Sequence, residues 1–254
     1  MTAPRLQRIG FFSYLGGDED PAHLLERTIE TFVFAERLGF DSVWVAQHHF
    51  GPRTGTLPSP LPFLAAVAAR TSHIRIGTAV VILPIEQPVR LAEDAAVVDL
   101  LAGGRLELGV GSGTDPAVFR SLGVDPGERV ERMVAGLDGL LGALEGHELP
   151  GGGGHRLHPP APGLRRRLWQ GVYAPERARQ AAALGLHVLL PKASPGNPLL
   201  AASGQAAAAS AFFDAWGRDW PGRVGLSRPA YPSRDRKSAL RELDAELRLQ
   251  AELA

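Results

Sequence analysis

Two adjacent histidines, His48 and His49, are the residues of this chain best suited to acid–base chemistry. An imidazole changes charge near neutral pH, so one ring can give or take a proton. A doublet has no mechanism of its own; one ring can equally be a packing residue and the other a helix cap. The setting decides between these uses. The pair closes the stretch Asp41–Phe50, DSVWVAQHHF, in which Val43 to Ala46 is apolar or small on both faces. Such a run predicts a buried strand of a parallel sheet. Parallel α/β folds carry their ligands at the C-terminal ends of the strands, which is where both imidazoles fall.

A second stretch with chemical promise is Leu106–Gly113, LELGVGSG. Bare backbone after a strand can cradle a phosphate or a nucleoside. The turn looks like the first motif of Rossmann-type methyltransferases, but there the motif closes the first strand, and here it closes the fourth. A lone glycine-rich turn carries little weight. The remaining histidines, His23, His73, His147, His155, His158 and His187, show no metal-ligand spacing, and no metal site is expected.

The elements that must position these residues alternate along the chain. Ile9–Leu15 reads as strand one, ended by Gly16-Gly17-Asp18. His23–Leu38 is a helix, with Leu25, Ile29, Phe32 and Val33 at helical spacing and Gly39 as its C-cap. After the histidine strand, a Gly- and Pro-rich loop, Gly51–Pro62, leads to a helix through Leu64, Val67 and Ala68. Ile74–Leu83 is strand three, followed by a helix over Val89–Leu101 and the stop Gly103-Gly104. Leu106–Val110 is strand four, and after a short piece around Phe119 a long helix runs from Glu128 to Leu144.

Residues 145–163 break the pattern with Gly151–Gly154 and Pro159-Pro160 and are read as a surface excursion, since the alternation then resumes. Leu168–Val172 is strand five and Pro175–Leu184 its helix, His187–Leu190 strand six, and Pro191–Gly204 a loop before an Ala-rich helix to Trp216. Arg223–Arg228 is strand seven. Asp235–Leu253 is a charged final helix whose i,i+4 pairing is imperfect. Seven strand–helix units in strict alternation predict a single domain over 1–254 built as a (β/α)8 barrel, with the eighth unit missing at the C-terminus.

Composition narrows the partners. The formal net charge is +0 and no basic block stands out, so neither nucleic acid nor an anionic membrane is expected as the main partner. The absence of cysteine among 254 residues removes disulfides, thiolate catalysis and cysteine-bound zinc. With no apolar run long enough to span a bilayer and no signal-like start, a cytoplasmic location is expected.

Three blocks carry a resemblance that gives the histidines a role. They are Leu38–Phe50, LGFDSVWVAQHHF; Ile74–Pro84, IRIGTAVVILP; and Pro88–Asp94, PVRLAED, continuing through Asp99–Arg105, DLLAGGR, into Leu108–Gly111. The chain resembles the bacterial luciferase-like monooxygenases, flavin-dependent (β/α)8-barrel enzymes, most specifically between Arg8 and Gly113. The resemblance implies that His48 lies beside the reactive face of a flavin, stabilising its oxygen adduct or moving a proton as that adduct breaks down, with His49 orienting it or packing behind it. The family more often has Glu where this chain has Gln47. Thr78, Ala79 and Val80 match the bulge beneath the flavin ring, which implies a non-prolyl cis bond at Ala79-Val80.

For the flavin phosphate the resemblance points to Tyr173, Ala174 and Arg177 at the start of the helix after strand five, with Ala174 where luciferases place a serine. It also points to Arg129, with Arg132 one turn away. Gly111 stands where luciferase has a reactive cysteine, and Ser112 where it has another phosphate-facing arginine. The implied activity is oxidation of a small organic substrate by O2 with reduced FMN, delivered by a separate flavin reductase to a homodimer or related oligomer. The deazaflavin F420 used for hydride transfer on the same barrel is the alternative cofactor. A non-catalytic flavin-binding or partner subunit is the alternative role.

Overall fold

Asp20 starts the first helix, and it does so earlier than the apolar spacing suggests. Its carboxylate accepts from the backbone N–H of Ala22 at 3.0 Å and of His23 at 3.1 Å, and Pro21 fills the first helical position. A capping acid followed by proline is the expected start of a helix, so α1 spans Pro21–Arg37 and not His23–Leu38. The computed structural model describes residues 8–16, 18–51, 55–192 and 201–252. Gly17 of the first turn, residues 52–54 of the Gly51–Pro62 loop, residues 193–200 of the Pro191–Gly204 loop and Leu253 of the final helix lie outside them.

The remaining elements follow the expected alternation. β1 (Gly10–Ser13) precedes α1, then come β2 (Ser42–Val45), α2 (Pro60–Arg70), β3 (Arg75–Thr78), β4 (Val81–Ile82) and α3 (Pro88–Leu101). β5 (Leu106–Gly111), α4 (Pro116–Ser121), α5 (Arg129–Leu144), β6 (Leu168–Gly171) and α6 (Pro175–Ala183) come next. β7 (His187–Leu190), α7 (Ala202–Ala215), β8 (Val224–Leu226) and α8 (Arg236–Glu252) complete the described chain. All pairings of these strands are parallel, in the order β1-β2-β3-β5-β6-β7-β8, with β4 a short extra strand on β5. The sheet curls as part of a barrel. Among the described residues β1 and β8 each have one neighbour.

Two expectations need correction. Strand three is not continuous from Ile74 to Leu83. Gly77 pairs with Glu107 and Val81 with Val110, so residues 78–80 face only residues 108 and 109, which makes a bulge. Thr78 bridges the interruption: its hydroxyl donates to the Gly109 carbonyl and accepts from the Gly109 N–H, both at 2.8 Å. The Ala79-Val80 peptide inside the bulge is cis. The excursion over 145–163 is also not purely superficial, because Leu157 and Ala161 are buried and join the main core beside Leu164.

Two layers of side chains hold the sheet. Outward-facing Val43, Val45, Ile76, Leu106, Leu108, Val110 and Val188 pack against Phe32, Leu64, Val67, Leu91 and Leu140 of the helices, all buried. The concave face has a different composition. Trp44 lies over Gly77, where a Cβ would stand 2.3 Å from the indole, and meets Trp169 edge-on at 5.5 Å. At the N-terminal end of the sheet, Glu107 is 1% exposed and accepts two hydrogen bonds from Arg223 at 2.9 Å, one from Trp169 Nε1 at 2.6 Å and one from Arg75. A fully bonded carboxylate tolerates such burial. This end is closed by charge pairs, which leaves the opposite end for chemistry.

Candidate active site

At the C-terminal ends of the strands the chain turns through small residues and presents its polar groups. His48 is half-buried. Its backbone N–H donates to Leu57 O at 3.0 Å, its ring lies 5.6 Å from that of Tyr14, and Gly55 sits against its Cβ and Cδ2. Gly55 takes a φ of +124°, and a Cβ there would meet Tyr14 O at 2.7 Å, so the loop closes on the ring only with glycine. The ring nitrogens of His48 make no hydrogen bond among the described residues. Burial, with a further contribution from His49, pushes the His48 pKa below its ordinary value. The ring is therefore neutral at pH 7 and able to accept a proton.

The ring of His49 lies 5.5 Å from that of Phe50. Burial lowers its pKa and Glu86 opposes the shift. Its Nε2 is closed off from solvent and has no hydrogen-bond partner among the described residues. Gln47, buried between the two segments, ties them together. Its Nε2 donates to Glu86 Oε1 at 2.8 Å and to Pro58 O at 3.1 Å, and its Oε1 accepts from Ile82 N at 2.6 Å.

The bulge shapes the floor beside His48. Val80 projects over β5 and β6: a Cβ on Gly111 would meet its Cγ2 at 2.5 Å, and one on Gly171 its Cγ1 at 3.4 Å. Ala79 and Val80 are partly exposed there, while Thr78 is fully buried with its hydroxyl committed to Gly109. Thr78 thus builds the floor from behind. Gly109 is equally constrained, since a Cβ would stand 2.1 Å from Thr78 O. The glycine run of β5 is accordingly the mate of the bulge, and no helix begins in it to form a phosphate loop.

The expected phosphate-side residues separate into two groups. Arg129, opening α5, donates from Nη1 to Gly113 O at 2.8 Å and so holds the turn that contains Ser112, whose own hydroxyl is within 3.4 Å of Gly113 O. Arg132 is bound by Glu128 at 3.0 Å. Arg177 is exposed on the first turn of α6 and contacts Gln180 at 2.9 Å. Ala174 provides no side-chain cap for α6, and among the described residues no side chain caps the first amides of that helix. Tyr173, 44% exposed, stands just before it at the end of β6.

Sequence reasoning missed two residues. Tyr14, following β1, lies beside His48 with its ring tilted by 59° to the imidazole; burial raises its pKa and Tyr173 adds to the effect through space. An aromatic at the end of a predicted strand was its only signal. Glu86 sits in the turn after β4, and nothing in local sequence connects it to a histidine 37 positions earlier in the chain. As a whole, the mouth offers a small apolar floor, one neutral imidazole and donors at α6, which fits a flat heteroaromatic ligand carrying an anionic tail.

Comparison with known proteins agrees with this reading of the fold. The profile of the family described as luciferase-like monooxygenase matches residues 9–253. The chain is 38% identical over 147 residues to 4-hydroxyprotoasukamycin monooxygenase of Streptomyces nodosus subsp. asukaensis, covering 56% of this chain and 39% of that one. It is 34% identical over 202 residues to the uncharacterised protein y4wF of Sinorhizobium fredii, covering 73% and 56%. The oxygenase component of the flavin-dependent trigonelline monooxygenase of Acinetobacter baylyi is 31% identical over 150 residues, covering 59% and 35%. The chain thus spans about a third to just over half the length of these relatives. Among solved structures, monooxygenase RslO1 from Streptomyces bottropensis superposes with a TM-score of 0.80 at 24% identity, covering 93% of this chain and 75% of that one. The oxygenating constituent of 3,6-diketocamphane monooxygenase from Pseudomonas putida, in complex with FMN, superposes with 0.76 at 17% identity, covering 94% and 71%.

Proposed function

The chain belongs to the luciferase-like monooxygenase family, and on that premise we propose that it binds reduced FMN at the C-terminal mouth of its sheet and uses it with O2 to oxidise a small organic substrate. The observation that carries this reading is the bulge over residues 78–80. It pushes Val80 over Gly111 and Gly171 beside a histidine whose ring nitrogens make no hydrogen bond among the described residues. That is a floor for a planar ring with a proton-handling group at its edge. Reduced flavin, when bound there, supplies the electrons that activate O2.

The chain's own residues supply binding and proton control. Ala79 and Val80 support the ring face, and Thr78 and Gly111 shape that floor without projecting into it. Arg177, the first amides of α6 after Ala174, and Tyr173 hold the phosphate end, where helix N-terminal N–H groups favour an anion. Arg129 keeps the Ser112–Gly113 turn in place. Neutral His48 accepts and returns a proton at the reacting centre, and His49 sits behind it. Reduced FMN comes from a separate flavin reductase, a role supported by the relative named as an oxygenase component. The working form is a homodimer or related oligomer in the cytoplasm; among the described residues no helix is long and apolar enough to cross a membrane.

Difference spectra of the purified protein, titrated without oxygen with reduced FMN and in parallel with reduced F420, test this function. Saturable binding of reduced FMN in preference to reduced F420 is expected. Preference for F420 would move the chain to hydride transfer. Binding of FMN without any change in its reaction with O2 would make it a flavin-binding subunit.

A further inference from the structure

Three parts of the chain meet at the side chain of Gln47, the residue directly before His48. Gln47 is 4% exposed, and both amide hydrogens and the amide oxygen are used. Its Oε1 accepts from the Ile82 N–H at 2.6 Å, and its backbone N–H donates to Val80 O at 3.2 Å, so it grips the bulge on both sides of Val81. Its Nε2 donates to Glu86 Oε1 at 2.8 Å, in the turn after β4. The same nitrogen donates to Pro58 O at 3.1 Å, in the loop whose Gly55 and Leu57 touch His48. That loop is fixed from its other side by the end of β1, where Leu15 O accepts from the N–H and the hydroxyl of Thr56 at 2.9 and 2.8 Å. Two of the partners of the Gln47 side chain accept and one donates, a demand that an amide meets and an ionised carboxylate does not. A carboxylate at position 47 would also face the Glu86 oxygen at 2.8 Å, two like charges in a buried corner.

We propose that Gln47 is a positioning residue: its amide fixes the spacing between the loop at Leu57–Pro58 and the bulge at Val80–Ile82, and so sets where His48 stands beside that floor. This deepens the flavin reading above and rests on it for its functional meaning, although the hydrogen bonds themselves require no ligand. The two arms of the amide act separately. The oxygen holds the floor, and the nitrogen holds the loop while using Glu86 as its second acceptor. His48 feels the loop arm through its own N–H, which donates to Leu57 O at 3.0 Å, one residue from the carbonyl that Gln47 binds. With an acceptor at position 86 and another at Pro58, position 47 must supply hydrogens, which is why a neutral amide stands there.

The test is residue-resolved amide hydrogen exchange of ligand-free protein, read on three N–H groups. The His48 N–H reports the loop arm and the Ile82 N–H the floor arm, while the Ile76 N–H, bonded to Arg105 O at 3.1 Å, reports global opening. Gln47→Met keeps the length of the side chain and removes its hydrogen bonds. Exchange at His48 and Ile82 is then expected to accelerate about tenfold beyond any change at Ile76, the size of one lost hydrogen bond. A Gln47 that served only overall stability would move all three groups alike. Glu86→Gln keeps an acceptor for Gln47 and is expected to leave the His48 N–H protected. Gln47→Glu is expected to expose both reporter groups. Adding Glu86→Gln to it gives the new carboxylate a donor, so Ile82 is expected to recover; His48 is not, because Pro58 O still lacks its donor. No acceleration at His48 beyond that at Ile76 in Gln47→Met, loss of His48 protection in Glu86→Gln, or recovery of His48 in the double variant overturns the proposal. Reduced-FMN affinity measured on the same samples separates the two readings. FMN binding can fail while exchange follows this pattern, which removes the flavin reading alone; unaltered His48 exchange in Gln47→Met, in a protein that binds reduced FMN, removes this proposal alone.

Discussion

Val80 and Gly111 occupy one space: a Cβ on the glycine would lie 2.5 Å from the valine Cγ2. The bulge that carries Val80 and the bare backbone of β5 therefore depend on each other. Gly111→Ala forces the valine to move or β5 to shift. Overpacking of this kind costs about 1–3 kcal/mol. A lower melting temperature is expected together with weaker binding of reduced FMN, and Val80→Ala in the same background should restore part of both. Thermal melts and anaerobic titrations of the two variants check this.

Glu107 and Arg223 close the opposite end of the sheet, 2.9 Å apart in a bidentate pair. Glu107→Gln leaves Arg75 and Arg223 without their counter-charge, and removing one partner of a buried pair costs about 3–5 kcal/mol. Burial alone would raise the Glu107 pKa, but Arg223, Arg75 and the Trp169 N–H outweigh it and hold the carboxyl below its ordinary value of 4.5. Its contribution is thus complete above pH 4.5 and lost as pH falls through the lowered folded-state value. The denaturant midpoint should drop for the variant at pH 7, and the difference from wild type should shrink in strong acid.

His187 acts in the same direction at milder pH. It is 2% exposed, its Nδ1 accepts from the Arg223 N–H at 3.2 Å, and burial with the Arg223 charge lowers its pKa to about 4. The unfolded chain takes up this proton near 6.5 and the folded chain does not, so stability falls as pH drops from 6.5 to about 4. The loss amounts to roughly 3 kcal/mol at 1.36 kcal/mol per pKa unit. His187→Asn should be less stable at pH 7 yet show a flatter midpoint between pH 6.5 and pH 4, read by denaturant unfolding across that range.

Arg177 and Arg129 should respond differently to the ligand's tail. Arg177→Ala should weaken binding of reduced FMN about tenfold, an amount near that of one charge-assisted hydrogen bond. It should leave reduced riboflavin nearly unchanged, because riboflavin has no phosphate. Arg129→Ala removes the hold on Gly113 O and should weaken both ligands alike. Parallel titrations with the two flavins distinguish these roles.

The alternation of elements was legible because buried parallel strands leave a continuous apolar signature, as in Val43–Ala46, and helices a periodic one. The histidine doublet was legible for the same reason, since strand polarity alone puts His48 at the ligand end. What escaped depends on contacts across the chain. Thr78 reads as a ligand residue until its hydroxyl is seen spanning to Gly109, and Gly111 as a cradle until Val80 is found against it. Asp20 and Pro21 hold a readable helix start that apolar spacing alone places two residues late. Glu86 and Tyr14 have no local pattern; only the fold brings them to the histidines.

The central claim, reduced FMN held beside His48 at this mouth, is tested most directly by mixing the protein–reduced FMN complex with oxygenated buffer at pH 7 and following flavin reoxidation in wild type and in His48→Ala. Reduced FMN should bind both proteins within about threefold of each other, an energy difference below 1 kcal/mol. The protein-dependent phase of reoxidation should change about 100-fold in the variant, the scale of one lost acid–base group. Identical reoxidation traces for the two proteins, or traces that match free reduced FMN in both, would contradict it.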